Sequence, residues 1–492
     1  MNFTKKLVPL YIALIGILLL PLFNFFEISL YDQKRLYQSG VLIICSVSFA
    51  ILLTRYEFRL GNKWNLVIIS VVFIILIISS ILSPLPQWAL LQTAWYLLLF
   101  ISILLFAHLF QQNRELYIRS TLLILFGLVI LYSLRIFIDH FELLFNSHKS
   151  VWPSINSHIV EIGGERTNPN PHLGFINRRF FNHIQTWTLP LLILGYLYYK
   201  PLLIKGFRIL LIFFVSSWWM LVFASDARGT LIASLVSIGI ILIIFKKRAF
   251  KFCFPYLLTA GAGFILFLLL FYLPDFSGEK GIFRLGDSGR IEAWKFAISQ
   301  IIDKPLLGLG PMHFSWIEIN PPLSTPHNIV LQSISEWGIP AFVFLTALIV
   351  CSFYKFIAQS KELQLGYQSD TEICYRISVT ASLVGAITHS LVSGIFETPL
   401  SQLLAVIVLG WAVGDYFLSK GDKLLMKRER ISFKFVLTML LLLVSVGFVA
   451  QKIAFDTANI EETYLCHNEI KSTNKYYPRF WHQGLICNRV VD

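Results

Sequence analysis

Charged residues are scarce in this chain: they make up only 14% of its 492 residues, whereas 56% are hydrophobic. Soluble domains usually contain about 25% charged and about 45–50% apolar residues. The shortage of charge therefore excludes a single soluble domain and a disordered chain. Cysteine is also rare, with six residues, which excludes a disulfide-rich scaffold. The composition indicates a polytopic membrane protein.

Several catalytic motifs are missing as well. The chain contains no Gly-x-x-x-x-Gly-Lys-Ser/Thr loop, which excludes an ATP site of that type. It also has no Asp-x-Asp pair to hold a divalent metal against a pyrophosphate, no Gly-x-Ser-x-Gly elbow and no Cys/His spacing typical of zinc. We therefore expect no metal and no cofactor. Chemistry on a phosphate would use arginine to neutralise charge and histidine as the base.

Long apolar segments dominate the chain, and a hydrocarbon core of about 30 Å needs roughly 20 such residues. Thirteen candidate spans are 7–26, 39–54, 64–82, 88–110, 117–138, 182–199, 207–224, 228–246, 252–273, 337–358, 374–395, 400–418 and 433–450. The predicted fold is an all-α polytopic membrane protein with about 12–13 transmembrane helices and two long periplasmic loops. We expect the first segment to be a retained anchor, because it lacks a clean small-residue cleavage site.

Basic residues decide the orientation, because Lys and Arg concentrate in cytoplasmic loops. With a cytoplasmic N-terminus, more than half of the 41 Lys and Arg fall in the predicted inside loops. The net charge of +13 then reflects topology and not nucleic-acid binding. We predict a multi-pass membrane protein whose tail, 451–492, lies on the outer side, in the periplasm. Cys466 and Cys487 lie in that tail, where they form either a disulfide or two free thiols.

The predicted spans divide the chain into six regions. They are N-terminal transmembrane helices (1–138), a periplasmic loop (139–181), transmembrane helices with an arginine turn (182–273), a large periplasmic loop with an amphipathic helix (274–336), C-terminal transmembrane helices (337–450) and the tail (451–492). The helix of the large loop is expected to follow Ser288 as its N-cap. Its apolar face would lie on the membrane surface or cap a cavity. The residues of that face are Ile291, Trp294, Ile298 and Ile301.

Arginines on the predicted outer face are the strongest functional signal, because they oppose the positive-inside bias and because burying charge is expensive. These arginines are Arg178, Arg179, Arg228 and Arg290. A guanidinium group binds phosphate oxygens in a bidentate manner, so the set predicts an anionic ligand. The alternative is a local salt bridge, of Arg228 with Asp226 or of Arg290 with Asp287.

Histidine is the natural general base near neutral pH. His327 stands where the large loop is predicted to re-enter the membrane, beside the arginines, and is the candidate base. Glu336 follows nine residues later, and His389 and Glu397 mark the outer end of another span. Together with Arg178 and Arg179, these three are candidate substrate-binding residues. The alternative for each histidine is a purely structural role.

The order and placement of these motifs resemble the bacterial superfamily of O-antigen ligases, O-antigen polymerases and O-linked oligosaccharyltransferases. The runs that carry the resemblance are Ser225–Gly229, Asp287–Trp294, Ile302–Gly310, Pro326–Asn328 and Glu336–Gly338. A further run, His389–Leu400, is similar to the branch that glycosylates proteins. The resemblance covers about 225–400, whereas 1–138 match only in being apolar.

The resemblance implies a metal-independent membrane glycosyltransferase that takes a glycan from undecaprenyl pyrophosphate with inversion at the anomeric carbon. Arg228 and Arg290 would bind the pyrophosphate and stabilise the leaving group, and His327 would deprotonate the acceptor hydroxyl on the periplasmic face. The acceptor would be a lipid A–core sugar, a growing polymer or a Ser/Thr of a pilin-like protein. The thirteenth span and the run His389–Leu400 favour the protein acceptor over the two glycan acceptors.

Two other functions remain open from the sequence. Arginine in a cavity also suits a transporter or flippase for an anionic lipid-linked sugar, although such proteins more often show inverted repeats and broken helices. The second alternative is a structural membrane protein without enzymatic or transport activity. In each case the expected partners include membrane lipid and exclude nucleic acid.

Overall fold

The structure, a computed structural model, describes residues 7–25, 28–58, 63–145, 161–162, 165–166, 174–199, 204–273, 289–316, 324–365, 370–427, 433–458, 479–481 and 486. Helices make up nearly all of the regular structure in these residues. This confirms the prediction of an all-α polytopic membrane protein. Cys466 and Cys487 lie outside the described residues, as does Ser288.

Each of the predicted spans overlaps one helix of the structure. The helices are α1 (Val8–Leu19), α2 (Leu30–Arg55), α3 (Lys63–Ile81), α4 (Pro86–Gln112), α5 (Arg114–Phe145), α6 (Arg178–Tyr199), α7 (Lys205–Ala224), α8 (Arg228–Phe245), α9 (Phe250–Phe267), α10 (Arg290–Asp303), α11 (Ile329–Leu365), α12 (Asp370–Ser390), α13 (Pro399–Ser419) and α14 (Phe433–Ala458). Two antiparallel pairs of short strands accompany them: β1 (Tyr56–Phe58) with β4 (Leu425–Lys427), and β2 (Glu161–Ile162) with β3 (Glu165–Arg166).

Length and hydropathy separate the helices into two groups. Eight helical stretches of the described chain are long and apolar enough to cross a membrane, and one of them, Arg228–Tyr272, contains both α8 and α9. Val8–Leu19 and Val67–Ile81 are shorter apolar helices. α6 and α12 are not among these stretches, and both bury polar side chains such as His183 and His389.

Large aromatic side chains fill the space between the helices. α13 packs along α4, α9 along α7, and α12 against both α6 and α8. A buried indole N–H needs a hydrogen-bond partner. Trp187 donates to Ser401 Oγ at 2.9 Å and Trp218 to Thr188 Oγ1 at 3.0 Å. These bonds fix α6 against α13 and α7.

Two serine hydroxyl groups of α12 bind the backbone of α6 near Pro190, a proline inside that helix. Ser378 and Ser382, one turn apart on α12, donate to Pro190 O at 2.8 Å and to Trp187 O at 3.0 Å. The beginning of α6 and the end of α12 therefore meet, which brings His183 and His389 to one place.

α2 begins nine residues before the span predicted from hydropathy. Ser29 caps it by accepting a hydrogen bond from Asp32 N at 3.1 Å. The added turns carry buried polar side chains, including Lys34, Arg35 and Gln38. A hydropathy average over these residues is low because they are polar or charged. It takes no account of the hydrogen-bond partners that satisfy them inside the protein. The sequence prediction therefore placed this part of α2 outside the membrane helix.

The predicted amphipathic helix of the large loop is α10. Gly289 precedes it in a left-handed conformation, with φ of 76°. Small residues, Ala293 and Ala297, face the protein, and α10 packs on α11. Two residues of the predicted apolar face point outward, since Ile291 is 53% and Ile298 48% exposed, as a helix that lies on a membrane surface would require. α10 thus presents isoleucines to its surroundings and sits close to α11 through its alanines.

The glycine-rich run after α10 packs against a break in α11. Leu309 N donates to Ser335 O at 3.0 Å and Gly310 N to Glu336 O at 2.9 Å. Gly308 and Gly338 both have positive φ, of 64° and 84°, and a Cβ on either would overlap the backbone of the other segment. The two motifs noted separately in the sequence are thus one structural unit.

A buried ion-pair network lies at the opposite end of α12 and α13 from their histidine and glutamate ends. Arg376 Nη2 lies 2.6 Å from Asp415 Oδ2, and both side chains are buried. Arg114 lies 2.6 Å from Glu372 and 3.6 Å from Asp415. This network joins α5, α12 and α13.

We expect Asp415→Asn to destabilise the protein by about 3–5 kcal/mol, because it leaves Arg376 buried without its carboxylate. Thermal unfolding in detergent measures the change. Glu115→Gln is the matched control, since Glu115 pairs with Arg119 at the surface, where both side chains are 52% exposed. That variant should lose less than about 1 kcal/mol. Equal losses in the two variants would contradict the prediction.

Candidate active site

Seven of the eight predicted site residues line one cavity of about 530 Å³. The cavity lies where the start of α6, the turn between α7 and α8, the start of α10, the loop before α11 and the segment between α12 and α13 meet. The seven residues are Arg178, Arg179, Arg228, Arg290, His327, His389 and Glu397. The structure therefore brings together residues that are up to 219 positions apart in the chain.

The cavity carries more positive than negative charge. Its lining contains four guanidinium groups and two carboxylates, those of Asp226 and Glu397. Arg178 Nη2 lies 4.0 Å from Asp226 Oδ2. An excess of cations around a partly enclosed space favours an anion, and guanidinium groups match the oxygens of a phosphate.

A tight turn presents Arg228 to the cavity, as the sequence predicted. α7 ends at Ala224 and α8 begins at Arg228, with Asp226 in a left-handed conformation at φ of 52°. Ser225 Oγ donates to Asn182 Oδ1 on α6 at 2.8 Å, and Ala227 N donates to Val222 O at 3.1 Å. The turn is thereby held against α6.

His327 is held by its neighbours on both sides. Its φ of 55° is in the left-handed region, which is uncommon for a residue other than glycine. Trp294 of α10 donates to Pro326 O at 3.0 Å. Asn328 caps α11, since its Oδ1 accepts from Val330 N at 3.0 Å. These bonds fix the backbone on either side of the histidine.

Hydrogen bonds determine the tautomer of His327. Arg179 Nη1 lies 3.4 Å from Nε2, and Thr325 Oγ1 lies 3.2 Å from Nδ1. A guanidinium group only donates, so Nε2 must be the unprotonated acceptor and Nδ1 must carry the proton. His327 thus has a lone pair on Nε2, beside the arginines.

The electrostatic surroundings of His327 keep the ring neutral. Burial, followed by the charges of Arg179 and Arg290, lowers the pKa of His327 from its ordinary value of 6.5 to about 3. The unprotonated ring is therefore the stable form at neutral pH. A base in this form is ready to accept a proton without first losing one.

His389 and His183 form a second polar group at the inner end of the cavity. Their ring centroids are 5.1 Å apart, in an edge-to-face arrangement. His389 Nδ1 lies 2.7 Å from Thr186 Oγ1, and His183 contacts Ser393 Oγ at 2.8 Å and Thr398 Oγ1 at 3.0 Å. Both rings are therefore fixed by hydroxyl groups of neighbouring helices and loops.

Gly229 lets His389 approach the arginine turn. It is the second residue of α8, and a Cβ there would overlap the imidazole ring of His389. By contrast, Gly239 on the same helix has open space beside it. The absence of a side chain at Gly229 therefore determines how close α12 comes to Arg228.

The two glutamates of the sequence prediction have different surroundings. Glu397 lines the cavity, and its Oε1 accepts from Gln332 Nε2 at 2.7 Å. Glu336 does not line the cavity. Its two carboxylate oxygens accept from Arg479 at 2.6 and 2.5 Å. Glu336 thus contacts the C-terminal segment.

Sequence reasoning missed three residues that belong to this region. They are His183, Arg35 and Arg479. The side chains of all three are almost fully buried. A signal for Arg35 existed in the charged run Asp32–Arg35 directly before a predicted span. The sequence around Arg479 gives no such signal, because its partner, Glu336, is 143 residues away.

Guanidinium groups are the cations that the described residues place around the cavity. The described part of the chain holds no group of three or more His, Cys, Asp or Glu arranged to bind a metal ion. The arrangement provides guanidinium groups to hold an anion, an unprotonated imidazole nitrogen to accept a proton, and a carboxylate to orient hydroxyl groups.

Residues 191–346, from α6 to α11, match a family model described as O-antigen ligase. The matched stretch contains Arg228, Arg290 and His327 and ends before His389 and Glu397. No curated protein matches the chain significantly. The match confirms the resemblance to the O-antigen ligase and polymerase superfamily and, at the family level, supports a membrane enzyme of the glycosyltransferase type.

We expect His327 of the substrate-free protein to stay neutral from about pH 8 to about pH 5, because its pKa lies well below that of an ordinary histidine. Its folded pKa is lower than its unfolded pKa. Its contribution to the free energy of unfolding is therefore complete above the pKa of the unfolded chain. That contribution is lost as the pH falls from there toward the pKa of the folded protein. ¹⁵N NMR of histidine-labelled protein measures the titration, and His327→Gln assigns the signal.

The matched variant for this titration is Arg179→Gln, which removes one of the two cations that lower the pKa. It should shift the midpoint of His327 upward. A wild-type midpoint near 6.5, unchanged in Arg179→Gln, would show that the arginines do not control this ring.

Proposed function

We propose that this chain, a member of the O-antigen ligase and polymerase superfamily through residues 191–346, transfers a glycan from undecaprenyl pyrophosphate to an acceptor hydroxyl on the periplasmic face of the bacterial inner membrane. One observation carries the proposal. The unprotonated Nε2 of His327 lies 3.4 Å from a guanidinium group, in a cavity with an excess of such groups. An anion-binding set and a proton acceptor therefore share one space.

The reaction follows from these groups. The acceptor oxygen attacks the anomeric carbon of the glycan, the bond from that carbon to the pyrophosphate oxygen breaks, and the bonding pair leaves with the pyrophosphate. When the pyrophosphate draws Arg179 away from Nε2 of His327, the lone pair of that nitrogen is free to take the proton of the acceptor hydroxyl. Arg228 and Arg290 stabilise the negative charge that develops on the leaving group, because preformed cations in a partly dry site need little reorganisation. Attack opposite the leaving group inverts the anomeric configuration.

Donor binding would also make His327 a stronger base. Burial first, and then the charges of Arg179 and Arg290, oppose protonation of the ring. A bound pyrophosphate neutralises those two charges, so the part of the lowering that the arginines cause is removed and the pKa of His327 rises. The imidazole is therefore a stronger base with the donor bound than without it.

The remaining predicted residues have supporting roles in the proposal. Arg178 and Arg179 bind the outer phosphate oxygens, while Glu397 and His389 orient hydroxyl groups of the glycan or the acceptor. The proposed acceptor is a lipid A–core sugar, a growing polymer or a Ser/Thr of a pilin-like protein. The cavity chemistry requires only that the acceptor present a hydroxyl group.

We expect His327→Ala and Arg290→Ala each to lower glycan transfer by about 10²–10³-fold, by analogy with the loss of an oxyanion-hole donor. Transfer from purified undecaprenyl-pyrophosphate glycan in proteoliposomes is the measurement. Arg119→Ala is the matched control, because Arg119 is an exposed arginine far from the cavity lining, and it should retain full activity. Full transfer by both site variants would exclude the proposed mechanism.

Deletion of the gene identifies the acceptor. We expect one glycosylated product to disappear while undecaprenyl-pyrophosphate glycan accumulates, because the donor is no longer consumed. The lost product would be glycosylated lipid A–core, long polymer or a modified pilin-like protein, separated by gel electrophoresis and mass spectrometry. Loss of the donor itself from the periplasmic leaflet would indicate transport and would contradict glycan transfer.

A further inference from the structure

Three residues of the predicted periplasmic tail, Arg479–Trp481, are buried within the protein. Arg479 is 0% and Trp481 4% exposed. The centroid of the Phe480 ring lies 5.2 Å from that of Trp95 of α4. Trp481 Nε1 donates a hydrogen bond to Asp456 Oδ2 of α14 at 2.9 Å. We call Arg479–Trp481 the C-terminal strap.

Arg479 joins the strap to the loop that carries His327. One guanidinium nitrogen, Nη1, donates to Ser324 O at 3.2 Å and to Glu336 Oε1 at 2.6 Å. The other, Nη2, donates to Glu336 Oε2 at 2.5 Å. Ser324 is three residues before His327, and Glu336 is in the second turn of α11. The guanidinium group therefore ties together the two ends of the segment that positions His327.

Arg35 joins the backbone of the strap to the other wall of the cavity. Its Nη2 donates to Arg479 O at 2.8 Å and to Glu397 O at 2.6 Å, and its Nε donates to Phe480 O at 2.9 Å. The Tyr31 hydroxyl also donates to Arg479 O. Glu397 lies in the segment between α12 and α13 that lines the cavity. One strap thus contacts both walls through two buried arginines.

The geometry points to a positioning role for the C-terminal strap: through Arg479 and Arg35, it holds the His327 loop and the Glu397 segment at the separation that glycan transfer requires. Neither arginine lines the cavity, so both act through the backbone and carboxylate groups that they bind. The expected effect of the strap on the rate of glycan transfer rests on the proposed function. Its expected effect on the positions of the His327 loop and the Glu397 segment is independent of that function.

The chemistry of Arg479 requires a forked side chain. Its two terminal nitrogens bind a carboxylate and a carbonyl at once, which a single ammonium group on a flexible stem does not reproduce. Burial disfavours the charge of Arg479, but the carboxylates of Glu336 and Glu397 raise its pKa above the ordinary value, so it stays protonated. Arg479→Lys therefore keeps the ion pair with Glu336 and loses the hold on Ser324.

Hydrogen–deuterium exchange of residues 324–331 tests the role directly. In Arg479→Lys we expect exchange of this segment to rise about tenfold, because opening of local structure exposes its amides. The turnover rate of transfer should fall at least tenfold while the KM for the donor changes less than threefold, because the arginines of the cavity are untouched. The matched control is Arg376→Lys, the same substitution in the remote pair with Asp415. It should leave both the exchange of 324–331 and the turnover rate unchanged.

A milder variant covers the case in which Arg479→Lys does not fold. Tyr31→Phe removes the hydroxyl group of α2 that donates to Arg479 O of the strap, and it keeps the aromatic ring. This variant should raise the exchange of residues 324–331 at least twofold. Unchanged exchange in whichever of these variants folds would overturn the positioning role. If the wild-type protein transfers no glycan, the proposed function fails, and the exchange measurement still decides the role of the strap.

Discussion

A charge buried among membrane helices needs a partner, because the low dielectric of the interior makes an uncompensated ion very costly. This constraint organises the protein. Arg376 meets Asp415 at one end of α12 and α13, and Arg479 meets Glu336 near the other. Arg35 is compensated by carbonyl and amide oxygens instead. Among the described residues that line the cavity, arginines outnumber carboxylates, and this excess is the basis for proposing an anionic ligand there.

Close approach of backbones is the second condition on which the cavity depends. Gly308 and Gly338 allow the run after α10 to press against the break in α11, directly beside the Glu336 carbonyl. Gly229 allows His389 to reach the arginine turn. Because none of these positions has room for a Cβ, the glycines determine how closely the walls of the cavity approach one another. The charged residues then act at distances that the glycines have set.

The sequence was sufficient to predict the helices and most of the candidate site, and the reasons are physical. Apolar runs of span length mark membrane helices, and Arg228 and Arg290 were conspicuous because they oppose the orientation rule. What the sequence did not predict depends on long-range pairing. Hydropathy placed the start of α2 too late because Arg35 satisfies its charge with groups far along the chain. Likewise, nothing near Arg479 indicates that Glu336 is its partner.

His327 connects the compensation of charge to the proposed chemistry. Its loop is fixed by Asn328, by Trp294 and, through Ser324, by Arg479, so the ring can be held in a strained backbone conformation. That position sets Nε2 3.4 Å from Arg179, whose charge adds to the effect of burial in lowering the pKa of the ring. In the proposed mechanism, the anion that the arginines attract removes their part of this lowering. The excess positive charge would then have two consequences, since it would bind the anionic donor and make the ring a stronger base once the donor is bound.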